Sequence, residues 1–170
     1  MVQIAPDDAN RLHDRLVTLN RLGDAQVALG DHAAAVVSFR EMVAMGSRLL
    51  EIDAFSTSWA NDLSIGLERL GDAQFASDDL AGALKSRQDC VALRDWLVQQ
   101  DSSNPAWYRS LAVSHERVSA TLARLGDMTP ALESQEQSLS LMRNLAAAYP
   151  DDPSYKIDVV RALDLKAVLL

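Results

Sequence analysis

The string RLGDAQ at 21–26 returns unchanged at 69–74, and this 48-residue period constrains the chain more than any other feature. Aligning 21–68 on 69–116 without a gap gives 18 identical positions of 48. A third unit follows at 117–164, where Gly126-Asp127 keeps the register of Gly30-Asp31. Self-similarity at a fixed period marks an array in which no unit buries its apolar face alone, so that each must stack on its neighbours. Such architectures work by surface recognition, and the reading expects no catalytic residues.

Two columns of helix-capping residues divide each unit. The first backbone N–H groups of a helix need acceptors, and short polar side chains supply them. One column is Asp8, Ser56, Asn104 and Asp152; the other is Asp31, Asp79 and Asp127. Pro105 and Pro153 follow their caps directly, at the first helical position, where a missing N–H costs nothing. Gly30 and Gly126 lend the turn a permissive backbone, and Asp78 stands in the same place in the second unit. The spacing predicts two helices per unit, A and B, near 9–28, 32–52, 57–76, 80–100, 105–124, 128–148 and 153–169. The fold class is therefore all-α, about three and a half tandem antiparallel hairpins in one domain, with units near 8–55, 56–103, 104–151 and a partial 152–170.

Apolar periodicity agrees. Trp59, Leu63, Leu67 and Leu70 recur along one helix A, and Leu80, Leu84, Arg87, Val91 and Leu97 along one helix B, matched by Met128, Leu132, Gln135, Leu139 and Leu145. Small residues hold fixed columns: Gly23, Gly71, Ser119 and Ala167 in helix A, then Ala35, Ala83 and Ala131 in helix B. Small side chains let two helix backbones approach.

These residues resemble a tetratricopeptide repeat. Leu22-Gly23, Gly30, Ala35 and Phe39 follow its pattern in the first unit; Leu70-Gly71 and Ala83 do so in the second, and Gly126 and Ala131 in the third. The period exceeds the family's usual 34 residues, so the chain resembles a long-helix variant such as occurs in multi-repeat bacterial proteins. The resemblance implies a right-handed α-solenoid whose A helices line a concave groove for a peptide or partner domain. The best-known members of the family grip a C-terminal carboxylate with Lys and Arg on helix A. Here Asn20, Glu68, Glu116 and Asp164 hold that column, with Asp24 and Asp72 one turn further, so a carboxylate clamp is contradicted.

The groove candidates are Val17, Asn20, Asp24, Val27, Ile65, Glu68, Asp72, Phe75, Val113, Glu116 and Arg124. Repetition on stacked A helices sets them in rows, and the acidic members favour a basic or mixed-charge ligand. The same acidic row also reads as a solvated face pairing between repeats with Arg21, Arg69 and Arg117. Trp59, Trp107 and Tyr155 read as wedges between hairpins, and Arg11 takes their place in the first unit as at an exposed array end.

A net charge of −8 without a basic stripe argues against nucleic acid and anionic membranes. One cysteine, Cys90, forms no intrachain disulfide, and no signal or membrane segment stands out, so a cytoplasmic location is expected. His13, His32 and His115 lack metal-ligand spacing, no phosphate loop is present, and Ser114, His115 and Glu116 point apart on one helix; no cofactor is expected. Leu163, Leu165, Val168, Leu169 and Leu170 make an apolar end where a capping face would be polar. It implies a segment of a longer array and a homodimer through the last helix. The rival reading is a sensor module that binds a peptide or small effector and controls an attached domain.

Overall fold

The computed structural model describes residues 6–170, all of whose regular elements are helices. They are α1 (Pro6–Ala28), α2 (His32–Ile52), α3 (Thr57–Ala76), α4 (Leu80–Gln100), α5 (Pro105–Leu125), α6 (Met128–Ala148) and α7 (Pro153–Val168). The caps explain the boundaries. Ser56, Asn104, Asp152 and Asp31 accept hydrogen bonds from Trp59, Ala106, Ser154 and Ala34, and Asp79 accepts one from Gly82. Gly30 and Gly126 turn the chain at φ 76° and 88°, and Asp78 adopts the same left-handed conformation at φ 64°. A short polar side chain tolerates that region better than most, which is how Asp78 substitutes for a turn glycine.

One capping assignment is corrected, and one cap is bare. Asp8 does not cap α1, because the helix begins two residues earlier at Pro6, whose fixed φ suits a first helical position. Asp127 occupies the cap of α6 but makes no side-chain hydrogen bond.

The chain divides into two compact units, one ending at Leu93 and one spanning Arg94–Leu170, with the division inside α4. In the first, Leu16 and Leu19 of α1, Phe39, Met42, Met45 and Leu49 of α2, and Leu70 of α3 form one buried cluster, with Trp59 half-buried against it. Leu63, Leu67 and Cys90 form another. In the second unit, Ala112, Met142 and Leu145 are buried, with Tyr108, Tyr155 and Val159 packed around them. Each large aliphatic or aromatic side chain buried this way contributes about 1.5–3 kcal/mol.

The 48-residue period returns as repeated contacts. Ser38 Oγ donates to Gln26 Oε1 at 2.7 Å, and Ser86 Oγ donates to Gln74 Oε1 at 2.7 Å. A methyl on Gly23 would collide with the Phe39 ring, and one on Gly71 would meet Arg87 Cγ at 2.9 Å, so the small column on helix A makes room for a large side chain on helix B. In the third hairpin, Ser119 spends its hydroxyl on the Ala131 carbonyl at 2.8 Å.

Candidate functional site

The A helices carry the candidate row. In the first unit His13 Nε2 of α1 lies 3.4 Å from Asp62 Oδ2 of α3; in the second, Arg109 Nε of α5 lies 2.7 Å from Asp158 Oδ2 of α7. Both pairs join consecutive A helices with the same 49-residue offset. Each unit thus sets its two A helices side by side in one register. Burial raises the Asp62 carboxyl above its ordinary value, and His13 partly opposes this.

The acidic members of the row are engaged within the molecule. Asp24 Oδ1 lies 3.7 Å from Arg69 Nε, which ties α1 to α3. Asp72 accepts from Arg87 Nη2 at 2.9 Å, and the Arg87 guanidinium lies 4.6 Å from the centre of the Phe75 ring. Glu116 is half-buried among α5, α6 and α7: Ser138 Oγ donates to its Oε1 at 3.2 Å, and Arg161 Nη2 lies 3.4 Å from Oε2. That burial pushes the Glu116 carboxyl up, against the pull of Arg161. Asn20 has its Oδ1 buried without a hydrogen-bond partner.

The apolar members behave differently from one another. Val17 and Ile65 are half-buried against the first-unit core, and Val113 packs on the second, so each is partly a core residue. Val27 is 39% exposed, and Arg124 is exposed at the end of α5. Val17, Asn20, Asp24, Val27, Ile65, Glu68, Asp72 and Phe75 belong to the first unit; Val113, Glu116 and Arg124 belong to the second.

Sequence reasoning missed the ionic cluster of the second unit. Asp158 is buried between Arg109 and Arg161, which lies 3.5 Å from its Oδ1, and the Asp158 carboxylate raises the affinity of Arg109 for its proton. A signal was available: Asp158 stands in the column of Asp14 and Asp62, and Arg109 in that of His13.

Ser114, His115 and Glu116 turn to separate partners. Ser114 Oγ accepts from Arg94 at 2.7 Å, burial lowers the His115 imidazole with Asp95 opposing, and Glu116 faces α6 and α7. Cys90 is buried and donates to the Ser64 carbonyl at 3.3 Å. Among the described residues, no group of three or more His, Cys, Asp or Glu is placed to hold a metal ion, and no helix is long and apolar enough to cross a membrane. An open cleft of about 390 Å³ lies beside the start of α5, lined by Ser102, Ser103, Tyr108, Asn144 and Tyr149. No protein-family model matches the chain, and no curated protein matches it either.

Proposed function

We propose that this chain is a non-catalytic protein-interaction scaffold, a tetratricopeptide-like right-handed solenoid that presents its A-helix rows to a peptide or partner domain. The observation that carries the reading is the pair of equivalent bridges, His13–Asp62 and Arg109–Asp158. Within each unit the shared offset brings side chains 48 residues apart together, and neighbours of like kind form a recognition row on that unit. Rigid rows suit an extended segment or a helix. The partner is a basic or mixed-charge protein segment of the cytoplasm rather than nucleic acid or membrane, in keeping with the net charge of −8.

Because Asp24, Asp72 and Glu116 already hold internal cations, the row offers a ligand their remaining lone pairs and the ring edge of Phe75 rather than a bare negative field. Site-specific photo-crosslinking of the full chain in lysate tests this. A benzophenone side chain at Val27 or Asp24 is expected to capture a defined protein that one at Val37, which is 55% exposed on α2, does not. Capture from Val37 alone overturns the reading.

A further inference from the structure

The third hairpin departs from the repeat on one side of its helix B. Arg48, Trp96 and Asn144 share one column of the 48-residue period, and Ile52, Gln100 and Ala148 another, so α6 carries the shortest side chain in both. There the cleft of about 390 Å³ opens, with Asn144, Ala148 and the buried Leu145 in its wall. Contact with α7 lies elsewhere on α6: Gln135 donates to the Ala162 carbonyl and Glu136 accepts from Lys166, both at 2.9 Å. At 3.6 residues per turn, Asn144 and Ala148 lie roughly 150° round the helix from those contacts. The opening is therefore made by short side chains on the side of α6 turned away from α7.

Two tyrosines frame the cleft, and both rings are held in place. Tyr108 of α5 is half-buried against the cluster of Ala112, Met142 and Leu145, and the Tyr149 ring lies 5.5 Å from that of Tyr155 at a tilt of 40°. None of the eight residues around the cleft is charged, in a chain of which 24% is charged. Among the described residues, none hydrogen-bonds the Asn144 amide, the two tyrosine hydroxyls or the Ser102 hydroxyl, so these donors meet no internal acceptor.

We propose that this cleft binds a proline-rich segment of another protein in the polyproline II conformation. Such a segment has no internal hydrogen bonds, so its carbonyls are free to accept, while its prolines bring no N–H that needs an acceptor. Asn144, Tyr108, Tyr149 and Ser102 supply the donors, and pyrrolidine rings pack on the tyrosine rings as they do in other aromatic-lined grooves. A charged peptide side chain would lose its water here with nothing to pair with. A sugar, whose hydroxyls donate as readily as they accept, would call for a carboxylate in the wall. The site is separate from the A-helix rows and stands independently of them.

Isothermal titration calorimetry of the full chain with decaproline tests the proposal, with circular dichroism to show that each variant is folded. Saturable binding is expected, weakened about tenfold or more by Tyr149→Ala and by Asn144→Trp, which restores the second hairpin's residue and fills the cleft. Arg143→Ala, on the same helix but outside the cleft, and Asp24→Asn, in the A-helix row, are expected to leave binding unchanged. Absence of saturation, undiminished binding to either cleft variant, or equal binding of a glycine-serine peptide of the same length overturns the proposal. Tighter binding of maltoheptaose would make the cleft a sugar site, and loss of decaproline binding in Asp24→Asn would place the peptide on the A-helix row; either result overturns it as well.

Discussion

Arg87 holds the column that Phe39 fills in the first hairpin, and its side chain is only 7% exposed. Taking a guanidinium out of water costs several kcal/mol unless its charge and donors are met. Asp72 at 2.9 Å and the Phe75 ring at 4.6 Å offset the charge, so an aromatic lost from helix B is replaced by one supplied from helix A. His115 is a second polar residue in an apolar column, since Leu19 and Leu67 hold the equivalent places. Its burial favours the neutral imidazole and depresses its pKa below 6.5, with Asp95 pulling the other way. The unfolded chain then binds the proton first, so this contribution is complete above the unfolded value and is lost as pH falls through the folded one. Glu116 next to it has the opposite sign, because its raised carboxyl favours acid. Urea unfolding at about pH 7.5 and about pH 5.5 separates them. The wild type is expected to lose more stability on acidification than His115→Gln, in which the carboxyl effect remains; equal losses would show that His115 titrates as it does in water.

At the scale of elements, helix starts depend on a few local hydrogen bonds. Ser56→Ala and Asp31→Ala each remove an acceptor from the first turn and are expected to cost about 1 kcal/mol. Asp127→Ala removes no such bond and is expected to cost less than half of that, by thermal or urea unfolding. Locality is also why the boundaries could be read from sequence: caps, first-turn prolines and turn glycines act over four or five residues, and five of the seven capping side chains bond as their type demands. Asp8 misled because it matches the column, whereas Pro6 acts through its own backbone two residues earlier. The candidate row was legible only as a set of columns. Which carboxylate meets which cation depends on the offset between packed helices, which no single helix encodes, so Asp24–Arg69 and Glu116–Arg161 emerge only in three dimensions. Burial of Val17, Ile65 and Val113 likewise depends on the neighbouring helix and not on their own periodicity.

At the scale of the whole molecule, the repeated sequence gives each compact unit its own core, built from consecutive hairpins around Phe39 in one and Met142 in the other. Phe39 is 1% exposed and its ring fills the space left by Gly23, which has no side chain to move into a vacated site. Phe39→Ala therefore opens a cavity that cannot collapse and is expected to cost about 3–5 kcal/mol, and Met142→Ala about 2–5 kcal/mol. Stability in chains of stacked units is shared between nearest neighbours rather than spread evenly. Hydrogen exchange on the full chain distinguishes the two regimes. Phe39→Ala is expected to lose backbone protection across residues 8–93 while 94–170 keep theirs, and Met142→Ala to give the converse. Uniform loss of protection in either variant would mean that both cores open in a single cooperative transition, and the division of the chain would then have no energetic counterpart.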